Sequence, residues 1–213
     1  MDLKSLRPGI YFSENEMVPV RERLDAFDAN RHAAMTKGQE GISIPGEIVF
    51  TAILPAQDKT LDAFIRDPKF VELTSDILGP DVQLYWNRTV YKRPEAKRDF
   101  PWHQDNGYVP TDPEHYLTCW VALTDASIKN GCIWVLPGSH RQGVAPHKNT
   151  KFGLQCYFGD DPGVPAPVPA GSLIAFQSML FHRSGPNQST GMRKAYSVHR
   201  LVLDRGHEKS SYG

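Results

Sequence analysis

The sequence predicts a mainly β protein, an antiparallel sandwich or jelly roll with helices packed on one outer face. Three observations carry this expectation. From about Val82 onward, short apolar or alternating runs are separated by Gly, Pro and Asn turns. Helical signals are confined to the N-terminal third. The 213 residues suffice for one domain with a sizeable core. The expected organisation is a single domain over residues 1–213, helical at about 55–80 and β at about 82–203.

Thr60 to Arg66 reads as a short helix. Asp67-Pro68 then sets a capping acid and a first-turn proline ahead of Phe70, Val71, Leu73, Ile77 and Leu78, and Gly79-Pro80 stops that second helix. Residues 31–46, which include Lys37-Gly38-Gln39-Glu40-Gly41, read as a loop. In the first strand Gln83, Tyr85 and Asn87 alternate with Leu84 and Trp86, so one polar face looks into a polar cavity or into solvent. Residues 92–98 form a charged run expected to be a solvated loop. Residues 117–123 and 132–136 read as strands joined by a hairpin at Asn130-Gly131. Residues 143–170, with Pro165, Pro167 and Pro169, read either as a lid or as a proline-stiffened crossing between sheets. Gly171 to Phe176 restarts the sheet. Ser184 to Gly191 then carries turn formers between two runs, and a hairpin centred on Asn187 and Gln188 sets His182 opposite Arg193. Strand alternation adds Ser184 to that face, and a slip of one residue would turn Arg193 outward.

Composition narrows the function. With 24 basic and 24 acidic residues there is no electrostatic case for a nucleic acid or an anionic membrane, which leaves a small-molecule substrate as the better fit. Cys119, Cys132 and Cys156 are odd in number and lack paired metal spacing. They point weakly to a reducing, cytoplasmic compartment. No segment has the length and apolarity of a membrane span or leader.

The chemistry rests on His103-Gln104-Asp105 with His182 and Arg193 downstream. On a strand His103 and Asp105 project from one face while Gln104 points away, so both can meet one ion. Two imidazoles and one carboxylate leave adjacent coordination positions open on Fe(II), which suits O2 chemistry. An inward Arg193 then needs an anion, because a buried unpaired guanidinium is costly. A 2-oxo dicarboxylate meets both demands, chelating iron at one end and taking Arg193 and Ser184 at the other. The commoner fate of such an arginine is a turn cap or a surface ion pair; sharing a stripe with His182 weighs against it.

The segments Phe100-Pro-Trp-His103-Gln-Asp105, Leu117-Thr-Cys-Trp120-Val-Ala-Leu-Thr-Asp125, Asn130-Gly-Cys-Ile-Trp-Val-Leu-Pro-Gly-Ser-His140 and His182-Arg-Ser184-Gly-Pro-Asn187 to Arg193 resemble the phytanoyl-CoA dioxygenase family of Fe(II)/2-oxoglutarate oxygenases. The resemblance covers roughly residues 48–203. It implies a double-stranded β-helix of the cupin-like jelly-roll type, with His103, Asp105 and His182 on iron and Arg193 with Ser184 on the far carboxylate of 2-oxoglutarate. It also implies that Trp120 packs against the co-substrate and that residues 83–92 supply further contacts, for which Asn87 and Tyr85 are the candidates. Family members carry a longer N-terminal region with an extra strand not evident in this sequence, so the chain is either compact or part of a longer protein.

The implied reaction is oxidative decarboxylation of 2-oxoglutarate to succinate and CO2, coupled to hydroxylation of a small molecule. Related halogenating enzymes have a small residue where this chain has Asp105, which favours hydroxylation; desaturation, ring formation and epimerisation stay open. Two rival readings are a non-oxidative cupin-like metalloenzyme and a binding or regulatory jelly roll with a vestigial metal site. Among other histidines, His140 is expected to serve its turn, and His32, His115, His147 and His207 receive no role. His199 shares parity with Arg193 and is expected to pack inside. Trp102, Asn106, Tyr108 and the 143–170 stretch are expected near the substrate.

Overall fold

Residues 117–122, Leu-Thr-Cys-Trp-Val-Ala, are buried at every position, so this strand has to lie between two layers of structure. The computed structural model describes residues 11–35, 43–44, 47–53, 58–112 and 116–202. In chain order the elements are α1 (Glu14–Ala34), β1 (Ile48–Ala52), α2 (Lys59–Ile65), α3 (Pro68–Leu78), β2 (Val82–Lys92), β3 (Phe100–His103), α4 (Asp105–Tyr108), β4 (Leu117–Ala122), β5 (Ile133–Val135), β6 (Lys148–Thr150), β7 (Gly153–Gln155), β8 (Val164–Ala166), β9 (Leu173–Gln177), β10 (His182–Ser184) and β11 (Arg193–Val202).

They form a mainly β, two-sheet jelly roll with the N-terminal helices on one side. The larger sheet runs β1-β2-β11-β4-β9, the smaller β3-β10-β5-β8, and β6 pairs with β7 apart from both. Alternation divides the larger sheet's side chains between two cores. Leu117, Cys119, Val121, Tyr91, Tyr196 and Val198 pack against Phe12, Leu24, Phe64 and Phe70 of the helical layer. Trp120, Ala122, Val90, Ala195, Ile174 and Phe176 face Phe100, Ile133 and Val135 of the smaller sheet. Each fully buried aromatic or aliphatic side chain contributes about 1.5–3 kcal/mol, whereas an exposed pair such as Arg66 with Asp62 contributes little. Apolar area therefore holds the helices to the sheet.

Helices α2 and α3 follow their sequence signals, with Asp58 and Asp67 accepting from the first backbone amides and Pro68 at the start of α3. Helix α1 has a weaker signal: Pro19 lies inside it, and its buried residues Met17, Val20, Leu24 and Asp28 form one narrow stripe. It is docked by charge as well, since Asp25 accepts from Lys194 and Tyr91, and Asp28 pairs with Arg93 at 3.0 Å. Strand β1, which the sequence did not mark, pairs antiparallel with β2. The glycine-rich run 37–41, His115 and His207 lie outside the described residues. No helix among the described residues is long and apolar enough to cross a membrane.

Both expected hairpins are corrected. Strand β10 pairs with β3 and β5, whereas β11 pairs with β2 and β4, so the 185–192 connection crosses from one sheet to the other. The Asn130-Gly131 connection does the same, joining β4 in the larger sheet to β5 in the smaller. Turn chemistry reverses the chain in both places without making the flanking strands neighbours. The two crossings meet: a Cβ on Gly131, which has φ +86°, would lie 2.5 Å from the Gly185 carbonyl oxygen. The charged run 92–98 is also corrected at its start, because Lys92 is only 1 % exposed.

Gly131→Ala should lower stability by about 2 kcal/mol, from the left-handed backbone and the carbonyl clash combined. The shift in urea midpoint at constant slope measures this, and an unchanged midpoint would contradict the close approach.

Candidate functional site

A cleft of about 450 Å³ opens between the two sheets, lined by Ile48, Phe50, Arg88, Val90, His103, Asp105, Thr118, Trp120, Phe176, His182, Ser184, Arg193, Ser197 and His199 among others. The smaller sheet brings in His103 at the end of β3 and His182 at the start of β10, which are register partners. Asp105 arrives differently from the alternation expected of it: β3 stops at His103, and Asp105 is the first residue of α4. The strand-to-helix bend turns its carboxylate back toward the imidazoles. Its Oδ1 lies 3.7 Å from His182 Nε2 and 4.0 Å from His103 Nε2, and one ligand atom from each residue falls within 4.8 Å of the others.

The imidazoles are pinned in the tautomer a metal needs. His103 Nδ1 donates to the Pro101 carbonyl at 2.8 Å and His182 Nδ1 to the Leu180 carbonyl at 2.9 Å. A carbonyl can only accept, so the protons sit on Nδ1 and both Nε2 lone pairs face the gap. Burial, followed by the neighbouring His182, pushes the His103 pKa well below its ordinary value and keeps that lone pair free. For Asp105 burial acts upward, but His182, His199 and Arg88 outweigh it and hold the carboxyl ionised. Its Oδ2 accepts from the Thr118 hydroxyl at 2.6 Å, and Thr118 in turn meets His199 Nδ1 at 3.1 Å. Two imidazole nitrogens and one fixed carboxylate oxygen, all buried, fit a divalent iron with open positions.

Gln104 does point away from this gap. It is fully buried, donating to the carbonyls of Gly143 and Met179 and accepting from Ala145 N, while its own backbone amide donates to His147 Nε2. The middle residue of the tripeptide thus ties the start of the 143–170 stretch to the turn before His182. That stretch supplies β6, β7 and β8 and contributes no residue to the cleft lining. Trp102 and Tyr108 do not line it either. Trp102 lies beside the Arg183 guanidinium, and the Tyr108 hydroxyl accepts from Leu154 N.

Arg193 and Ser184 enter from opposite sheets, not from one stripe. Arg193 is 1 % exposed, donates to the Val90 carbonyl at 3.2 Å and lies 5.6 Å from the Trp120 ring, while its Nε has no hydrogen-bond partner. Burial pulls its pKa down to about 10, and among the described residues no carboxylate offsets it. Such a buried guanidinium is suited to a carboxylate from outside. Ser184 Oγ accepts from Lys92 Nζ at 3.1 Å, and Lys92 also reaches the carbonyls of Ser184 and Gly185, so the lysine fixes the serine from behind.

Asn87 and Tyr85, the candidates for further co-substrate contacts, lie outside the cleft lining. Asn87 Oδ1 accepts from the Tyr196 hydroxyl at 2.8 Å on the helical side, and the Tyr85 ring meets Tyr116 at 5.5 Å; neither lines the cleft. The inward face of β2 is the other one, carrying Val90 and Arg88. Arg88 was not singled out by the sequence, although its parity with apolar Val90 was the available signal. Thr118 was missed as well, on the same face of β4 as Trp120.

Comparison with known proteins agrees with this geometry. The family model described as phytanoyl-CoA dioxygenase (PhyH) matches residues 13–195. The peroxisomal phytanoyl-CoA dioxygenase of Rattus norvegicus is 31% identical over 169 residues, 73% of this chain and 50% of that protein. A probable alpha-ketoglutarate-dependent hypophosphite dioxygenase of Stutzerimonas stutzeri is 31% identical over 154 residues, 68% of this chain and 54% of that protein. The chain thus spans about half the length of these relatives. Among solved structures, the non-heme monooxygenase ThoJ superposes with TM-score 0.75 at 21% identity, covering 92% of this chain and 73% of that one. The epimerase SnoN, solved with Fe3+, alpha ketoglutarate and nogalamycin RO, gives 0.73 at 19% identity, covering 95% and 86%.

Burial, followed by the nearby Arg193, lowers the Lys92 pKa from 10.5 to about 7. Between those values the unfolded chain holds a proton that the folded chain lacks, so this residue makes stability rise with pH across that window. Urea midpoints measured from about pH 7 to about pH 10 should therefore climb less in Lys92→Met than in the parent, and equal slopes would contradict the assignment.

Proposed function

The chain belongs to the phytanoyl-CoA dioxygenase family of Fe(II)/2-oxoglutarate oxygenases, and from that premise we propose that it is a dioxygenase hydroxylating a small molecule. One observation carries the reading: the buried, carboxylate-free Arg193 shares a cleft with three metal-ligand atoms whose lone pairs face a common gap. A metal alone would not account for Arg193, and an anion site alone would not account for the triad. A 2-oxo dicarboxylate accounts for both.

In this reading His103 Nε2, His182 Nε2 and Asp105 Oδ1 hold iron, and Thr118 keeps Asp105 from rotating by occupying Oδ2. Arg193 and Ser184 receive the far carboxylate, Lys92 orients Ser184, and Trp120 flanks the chain between. When bound, iron with 2-oxoglutarate and O2 supplies the oxidising power, releasing succinate and CO2. The protein's own work is to fix the open face, orient the substrate and exclude water with Ile48, Phe50, Ile133 and Phe176. The Asp105 carboxylate fills the position a halide would need, which favours oxygen insertion over halogenation.

Anaerobic titration should yield binding of Fe(II) and then of 2-oxoglutarate, and aeration should produce succinate in proportion to 2-oxoglutarate consumed. Failure of the intact protein to bind both would overturn the proposal. Arg193→Ala should weaken 2-oxoglutarate binding about 100-fold, within the range for truncating one partner of a buried charge pair, while iron affinity changes only a few-fold. Equal loss of both would contradict the role given to Arg193.

A further inference from the structure

The cleft contains a second guanidinium, Arg88, beside the triad and away from the dicarboxylate site. On β2 Val90 and Arg88 line the cleft and share their strand face with Lys92 and Trp86, and the four pair with Ala195, Ser197, Arg193 and His199 of β11 respectively. Successive residues on one face lie about 6.8 Å apart, so Arg88 stands well away from the Arg193 end. Its Nη2 lies 3.6 Å from Asp105 Oδ1, the oxygen nearest both imidazole nitrogens. The guanidinium carbon is 4.9 Å from the Phe50 ring centroid, and Nε is buried without a hydrogen-bond partner. The side chain retains 17% exposure and lines the cleft.

Charge decides what this arginine serves. Without metal, Asp105 offsets Arg88. A divalent metal drawing on Asp105 Oδ1 removes that compensation and adds its own charge. The dication with Arg88 and Arg193 then exceeds Asp105 plus a dicarboxylate by one positive charge, before Lys92 is considered. A neutral substrate would leave Arg88 desolvated and unpaired beside a cation, whereas an anionic one would neutralise the loaded site.

We propose that Arg88 is a specificity-determining residue that binds an oxyanion of the primary substrate, a carboxylate or phosphoryl group, next to the metal. Trp86, two residues before Arg88 on the same strand face and 44% exposed, offers an aromatic surface for the uncharged remainder of that molecule. The inference rests on the iron and 2-oxoglutarate reading and adds to it the substrate's charge.

Calorimetry on the anaerobic protein loaded with Fe(II) and 2-oxoglutarate tests it, using hexanoate and hexyl phosphate against hexanamide as the neutral counterpart. At least one anion should bind 10-fold or more tightly than the amide. Arg88→Gln should abolish that preference while 2-oxoglutarate affinity stays within about 3-fold, and Arg88→Lys should restore part of it. Equal binding of anions and amide, binding of neither anion, or an intact preference in Arg88→Gln would each overturn the proposal. A parallel loss of 2-oxoglutarate affinity in Arg88→Gln would overturn it too, assigning Arg88 to the co-substrate. Loss of iron and 2-oxoglutarate binding in the parent protein is the separate result that removes the oxygenase reading itself. Thermal melting of each variant identifies a folding defect, and the Arg88→Lys arm still decides the matter if Arg88→Gln is unstable.

Discussion

Burying Lys92, Arg193, Asp105 and three imidazoles between two sheets, with Arg88 partly buried beside them, is unfavourable unless something else holds those sheets in place. The apolar packing on the reverse side of the same strands does so. Tyr91, Cys119, Val121, Tyr196 and Val198 alternate with the residues facing the cleft and bury themselves against the helices. The larger sheet is therefore anchored from behind, and its front face is free to carry polar groups that would not assemble by themselves. Loosening α1 to α3 would act on the site through this sheet, although none of their residues lines the cleft.

The metal-facing part of the site depends on local geometry repeated twice. Each histidine donates Nδ1 to the carbonyl two residues before it, Pro101 in one case and Leu180 in the other. Tautomer and ring direction are thereby set by the chain immediately preceding each ligand. Gln104 adds the longer tie, joining the His103 bend to the Met179 turn through its amide. The two ligand-bearing segments are held as a unit before any ion arrives.

The sequence was most legible where chemistry is local. The caps of α2 and α3, the tripeptide from His103 to Asp105, the inward course of His199 and the opposite course of Gln104 could all be read from spacing and residue type. The errors concern partners. Asn130-Gly131 and the 184–191 turn formers do reverse the chain, but turn residues fix a reversal and leave open which strand lies alongside; both reversals here change sheets. His182, Ser184 and Arg193 share a cleft because they face each other across the sandwich, although a hairpin had been expected to align them. On β2 the alternation of Tyr85 and Asn87 leaves a polar cavity and solvent both open, while apolar Val90 marks the inward face. A register shift at His199/Arg200, consecutive residues that pair with Trp86 and Leu84, breaks the strict alternation of β2 there, which residue type alone could not anticipate. Helix α1 escaped notice because Pro19 and a narrow apolar stripe weaken its periodicity.

The change of sheet between β10 and β11 has a mechanical side. The three metal-ligand residues belong to the smaller sheet and the helix that follows its first strand, whereas Arg193 belongs to the larger sheet. A molecule reaching from the triad to Arg193 would brace the two leaves of the sandwich like a strut. Filling the site would then stiffen the sandwich as a whole.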